Sequence, residues 1–300
     1  MRINSNLVPD ILADLQQTQS TLNRALQEVS TGKMVSSPSD NPVAYAGMVG
    51  NTIETSQNDQ YTQNVTSLLS TVQTADSSLS SVVSSLTQAI SIGTEGANGT
   101  TNTADQQALA VQVQGILTSV VGQANSTYQG AYLFGGTNSA TKPYTVDPSS
   151  SSGYTYNGNS DVNSVQVGDQ SSVQVNLPGS QIFSNSSTNV LGSLSSLVSA
   201  LQSGNTTDIA NATTSVTSAL NYVSQQRVFY GNAETQLNSQ ETALASDKVT
   251  LASQENNLVG VDMATAAMDL SQAETANSAA MAAAAKVLPN TLLNYLSTPS

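Results

Sequence analysis

The side chains that most often carry out chemistry are scarce in this chain. It has no Cys, no His and no Trp. That removes thiolate nucleophiles, imidazole bases, Ser-His triads and nearly all zinc, copper and haem ligation. Carboxylates remain, and Glu234, Glu241, Asp247 and Glu255 follow one another with Lys248 among them. Strung along one helical stretch, they read as a solvated face rather than as an acid and base converging on a substrate. Asp161, Asn163 and Asp169 resemble the start of a calcium loop, but Val165 and Ser172 stand at its fifth and twelfth ligand positions. Gly130, Gly135, Gly136 and Thr137 have most of a phosphate-loop spacing, yet Gly136 occupies the lysine position, which leaves a turn. Asn64, Asn98, Asn125, Asn185, Asn205 and Asn211 precede x-Ser/Thr. With 27 asparagines and 79 serines plus threonines in the chain, chance alone supplies about seven such triplets, so these six carry no signal. The sequence therefore predicts no catalytic residue, no cofactor and no metal.

The whole chain points the same way. Its 300 residues hold 7 Lys+Arg against 20 Asp+Glu, a net charge of -13, which argues against nucleic acid or an anionic membrane as partner. Only 9% of residues are charged and 4% aromatic, little material for a tuned pocket. The start, Met1-Arg2-Ile3-Asn4 and onward, lacks the apolar run and small-residue cleavage site of a signal peptide. No cleaved leader is expected. The longest apolar stretch, Ala279 to Ala285, is far shorter than the roughly 20 residues of a membrane span.

What the sequence does specify is helix. Leu7, Ile11, Leu15, Leu22, Leu26 and Val29 fall on heptad-like spacing, with Pro9 in the first turn and Gly32 after the last. Asn41-Pro42 is an N-cap followed by a first-turn proline. A second helix is expected to run to about Ile92, with Leu68, Val72, Ala75, Leu79, Val82, Leu86 and Ala89 as its seam, then a turn over 93–102 and a third helix through Leu109, Val113, Ile116 and Val120. Between 137 and 190 the apolar residues alternate instead, as in Tyr154-Thr155-Tyr156 and Val173-Gln174-Val175, which predicts short strands in a small insertion. Few seam positions lie there, so the insertion is expected to be dispensable for the helices. Helix returns at Leu191, breaks at Gly204-Asn205 and restarts with a cap at Asp208. From Ile209 to Val261 the seam advances by three and four without a slip, through Leu237, Leu244, Leu251, Gln254 and Leu258, predicting one rod of about 80 Å at about 1.5 Å per residue. After Gly260 and Asp262 a last helix carries Leu288, Leu292 and Leu296 on one face, with Pro289 predicting a break.

The expected class is mainly α with a small β insertion. Residues 1–41 form an N-terminal assembly helix that pairs with the C-terminus, 42–136 and 191–261 are the two halves of a helical rod, 137–190 the β-rich insertion, and 262–300 a C-terminal assembly helix. Both terminal segments are amphipathic but poor in charge pairs, so each needs a partner and is expected to be largely disordered in a free monomer. The residues expected to make the assembly interface are Leu7, Leu15, Leu22, Leu26, Val29, Leu251, Leu258, Met263, Leu270, Leu288, Leu292, Leu293 and Leu296.

Specific motifs sharpen this outline. LQEVSTGKMV at 26–35, PSDNPVAYA at 38–46, GAYLFGGTNS at 130–139, YNGNS after it, VQVGDQSSVQVNLPGSQIF at 165–183 and the final DLSQAETANSAAMAAAAKVLPNTLLNYL ending at Leu296 resemble the flagellin superfamily. Within it, the STGK and PSDNP forms are most similar to the hook-associated protein 3 family, its hook–filament junction branch. The resemblance implies a structural role. It implies export through the flagellar type III apparatus with the aid of a chaperone, without a cleaved signal, and assembly with further copies of itself into a helical layer outside the cell, between hook-associated protein 1 and the flagellin filament. Two other readings stand beside it. A filament flagellin shares both ends, but the short insertion argues against it. A secreted carboxylate hydrolase on a coiled-coil stalk would need its site within 137–190, where Asp147, Asp161 and Asp169 occur without any Glu.

Overall fold

A computed structural model describes residues 7–99 and 101–296, and the side chains of 9–99 and 101–286. Among the described residues seven helices and six short strands follow one another: α1 Leu7–Thr31, α2 Pro42–Gly96, α3 Thr103–Ala124, β1 Thr127–Tyr128, β2 Ala131–Tyr132, β3 Tyr144–Val146, β4 Tyr154–Tyr156, β5 Ser164–Gln166, β6 Ser172–Gln174, α4 Gly179–Ile182, α5 Val190–Ser203, α6 Thr206–Val259 and α7 Met263–Leu296. The mainly helical class with a small β region in the middle is the one the periodicity predicts. The chain divides into two compact units, 58–246 and 1–57 with 247–300, and α2 and α6 contribute a part to each.

The 58–246 unit has the large core. Val65, Val72, Leu79 and Leu86 recur every seven residues on α2, with Ala75, Val82 and Ala89 each three residues after one of them, all buried. Ile209, Val216, Val223, Tyr230, Leu237 and Leu244 do the same on α6. Two inward residues per heptad give each helix a continuous apolar seam, which is what makes it stable at this length. Leu109, Val113, Ile116 and Val120 of α3 and Leu191, Leu194, Leu197 and Leu201 of α5 complete the core, with α3 packed on α5.

The strands form three antiparallel hairpins; β1–β2 lies before residue 137, in the stretch expected to belong to the helical rod, and β3–β4 and β5–β6 lie within the expected insertion, which is not an appendage. Tyr144, Val167, Val173, Val175, Leu177, Ile182 and Phe183 belong to the same buried cluster as the helices, so the region contributes to the helices' core more than its few seam positions predict. Two-stranded ribbons are marginal alone, so they hold their shape by turning one face into that core. Phe134 and Tyr144 pack edge-on against Phe183 at 5.4 and 5.9 Å, and the buried Tyr144 hydroxyl donates to the Gly179 carbonyl at 2.8 Å. Asn125 grips the Tyr144 backbone on both sides, at 2.8 and 3.0 Å.

Several boundaries differ from the sequence expectation. α2 continues past Ile92 to Gly96, since Ile92 and Gly96 still face the core, where a Cβ on Gly96 would lie 2.3 Å from Leu201. The cap of α6 is Asn205, three residues before Asp208, its side chain accepting from the Thr207 backbone N–H at 3.0 Å. α7 runs on through Pro289 to Leu296 rather than ending at the proline, although a proline inside a helix removes one of its hydrogen bonds. The seam of α6 also slips. After the buried Leu251 come half-buried Glu255 and buried Val259, not Gln254 and Leu258, which are exposed.

Candidate assembly interface

In the unit of 1–57 with 247–300, the first and last described helices meet. α1 packs along α7, and the two run antiparallel from a common point where Lys33 bridges Gly260. On α1 the inward residues are Ile11, Leu15, Thr18, Leu22, Ala25 and Val29; on α7 they are Ala266, Leu270, Ala273, Asn277, Ala280 and Ala284. Both sets step by four and three, the period of a coiled-coil seam. Alanine on one side of the seam lets the helices approach closely, and Thr18 Oγ1 lies 3.5 Å from Asn277 Oδ1 across it.

Below this pair the connections are held by local chemistry. Gly32, at φ +69°, ends α1 in the left-handed region, where a Cβ is costly. The Met34 N–H donates to the Val259 carbonyl at 2.7 Å and the Val261 N–H to Gly32 at 3.0 Å. Lys33 Nζ meets Glu255 Oε1 at 2.6 Å. Val35, Ala44 and Val259 are buried together, flanked by Tyr45 and Met48. The Asp40 carboxylate accepts from the backbone N–H groups of Ser37 and Ser36 at 2.9 and 3.1 Å, and these donors hold it below the ordinary carboxylate range. Asn41 caps α2, accepting from Val43 and Ala44 at 3.1 Å each. Asp262 does the same for α7 through the Ala264 N–H at 2.9 Å. Inside α2, buried Asn51 donates to the Leu251 carbonyl at 2.8 Å.

The predicted interface residues divide by exposure. Leu15, Leu22, Val29 and Leu270 line the α1–α7 seam and are half-buried, and Leu251 is buried. Leu26 and Met263 face outward, 45% and 50% exposed, and Leu258 is 37% exposed beside Gly47. The side chains of Leu7, Leu288, Leu292, Leu293 and Leu296 lie outside the described residues. Sequence reasoning missed Ala25, Ala266, Ala273 and Ala284 as seam residues of this pair, although their three-and-four spacing was available. It also missed Leu12, Met268 and Met281, which stand 57%, 65% and 57% exposed.

Among the described residues no three or more acidic side chains come together to hold a metal, and no helix is long and apolar enough to cross a membrane. Asp161 takes part in a hydrogen bond from the Asn159 amide at 3.0 Å. A groove of about 320 Å³ lies beside Tyr128, Tyr132, Asn176 and Tyr230. Its polar groups are spent on the fold: Asn176 bonds Gly136 and Asn163, and the Tyr230 hydroxyl accepts from Leu177.

Residues 3–139 match the bacterial flagellin N-terminal helical region, and residues 213–296 match the bacterial flagellin C-terminal helical region. Flagellar hook-associated protein 3 of Escherichia coli K12 is 30% identical over 190 residues, which cover 59% of this chain and 58% of that protein. Flagellar hook-associated protein 3 of Salmonella typhimurium is 28% identical over 193 residues, covering 64% and 59%. The matched region thus spans under three fifths of the length of these relatives. Among solved structures, flagellar hook-associated protein-3 of Legionella pneumophila shares the fold at a TM-score of 0.64 and 15% identity, covering 69% of this chain and 98% of that one.

Proposed function

The chain belongs to the bacterial flagellin family, and from that premise we propose that it is a structural junction subunit of the flagellum, seated between a hook-associated protein 1 layer and the flagellin filament. It forms its layer from copies of itself, outside the cell, after export through the flagellar apparatus with a chaperone. The observation that carries this reading is the character of its paired ends. α1 and α7 satisfy each other along a narrow seam, yet leave Leu12, Leu26, Met263, Met268 and Met281 exposed. Large apolar side chains left in solvent on this element pair suit an end that packs against other protein. The terminal helices gain most of their burial only in the layer, so folding and assembly reinforce each other. Low charge suits this, because few ions need to be desolvated when subunits pack side by side.

Complementation of a motile strain lacking its junction protein tests the proposal. The native chain is expected to restore filaments. Met268→Asp with Met281→Asp should leave the free chain folded and secreted, while filaments fail to grow and flagellin is shed into the medium. Normal swimming by the double variant would remove this surface from the interface.

A further inference from the structure

We propose that Asn58 of α2, with Asn51 repeating it one heptad earlier, restricts this stretch of α2 to pairing with the α6 of its own chain and excludes a second copy of the chain from the seam. Both asparagines stand at the heptad position that α2 otherwise fills with Val65, Val72, Leu79 and Leu86, and both are buried. The Asn58 side-chain N–H donates to the Leu244 carbonyl at 3.1 Å, and that of Asn51 to the Leu251 carbonyl at 2.8 Å. One heptad back on α2 is matched by one heptad forward on α6. The two bonds are thus the same antiparallel contact made twice.

Asparagine is a costly choice at this position. Among the described residues, Asn58 Oδ1 is the buried side-chain polar atom that no hydrogen bond reaches, and burying an amide oxygen in that state lowers stability. One heptad on, Val65 and Leu237 fill the equivalent places with apolar side chains, both fully buried. What asparagine adds is selectivity for two helices. Between two helices its amide reaches a carbonyl of the facing backbone, whereas in a wider seam of three or four it is left unpaired among apolar side chains. Such selectivity has something to act against here. Val49, Ile53 and Val249, each two residues from Asn51 or Leu251 in sequence, are exposed, and apolar side chains flanking an apolar seam would draw the helix pairs of two copies into one bundle. Copies packed side by side, as in the role proposed above, need that merger excluded; the effect of Asn58 on the free chain does not rest on that role.

Light scattering on the free full-length chain, with circular dichroism on the same samples, tests the assignment. Asn58→Leu is expected to at least double the mass of the native chain at equal concentration, to keep the helical signal and to raise the denaturant midpoint. Adding Asn51→Leu should shift the association to lower concentration. Gln63→Leu places the same side chain on an exposed position of α2 and should leave the mass unchanged. A native mass for Asn58→Leu would overturn the proposal. So would an equal rise in mass for Gln63→Leu, which would trace association to added apolar surface rather than to the seam. Loss of the helical signal in Asn58→Leu would overturn it as well, since Asn58 would then serve folding and not the choice of partner. None of these readouts involves filament growth, so the role of Asn58 and the junction role fail separately.

Discussion

The two units of this chain treat their apolar residues in opposite ways. Residues 58–246 turn Phe134, Phe183, Tyr144, Tyr230 and a long series of Leu and Val inward, and leave only Val111, Val146, Val162 and Val228 exposed among large hydrophobic side chains. In the unit of 1–57 with 247–300, the buried apolar residues are Ala25, Val35, Ala44, Leu251, Val259, Ala266, Ala273 and Ala284, while eleven of the fifteen exposed large hydrophobic side chains described belong to it. Burial scales with apolar area, so the first unit is stabilised mainly from within. The second buries little per residue and offers its larger side chains outward. A chain that had to be stable alone would reverse that choice.

The largest expected effect tests the self-sufficient unit. Phe183→Ala removes a fully buried ring that Phe134 and Tyr144 both contact, and should cost about 3–5 kcal/mol by chemical denaturation. A loss under about 1 kcal/mol would mean that the insertion is not integral to this core. Gly32→Ala acts on the other unit, forcing a Cβ into φ +69° at a cost of about 1 kcal/mol. Amide exchange should quicken across α1 and α7 while 58–246 keeps its protection, whereas uniform loss would make the two units one cooperative body.

Arg227→Ala breaks a two-pronged pair with Asp76, at 2.9 and 2.8 Å. Both side chains are one third exposed, so the loss should stay below about 1 kcal/mol despite the good geometry; a much larger loss would show that the pair is shielded from solvent. The smallest effect is a dependence on pH. Hydrogen bonds from Ser37 and Ser36 lower the Asp40 pKa in the folded chain. Its contribution is therefore present above the unfolded value of 3.8 and is lost as pH falls through the folded one. The Ser36 and Ser37 amide resonances should hold steady from pH 7 to 5 and move only below about 4, and Asp40→Asn should abolish that movement.

Much of this arrangement is legible along the chain. The seams of α2 from Leu68 to Ala89 and of α6 from Ile209 to Leu251 are set by local period, because a helix repeats every 3.6 residues whatever it packs against. The alternation at 154–156 and 173–175 marks strands for the same reason, and the missing Cys and His close off whole classes of chemistry before any contact is known. The caps at Asn41 and Asp262 follow from side chains that reach their own backbone. Each of these signals lies within a few residues of the structure it specifies.

Tertiary structure decided what joins residues far apart. Val259 replaces Leu258 in the seam because the Met34 N–H holds its carbonyl and Val35 and Ala44 cover its side chain; Lys33 and Glu255 meet across 222 positions of sequence. The burial of Phe183 and Val173 beside the helices likewise depends on partners that no local pattern names. Leu26 and Met263 show the same limit from the other side. Their apolar character is plain in the sequence, but their exposure is set by where α1 and α7 touch, and the small Ala25, Ala266 and Ala273 take the inward positions. Periodicity specifies which face of an element is apolar, whereas contact between elements distant in the chain specifies whether that face is covered.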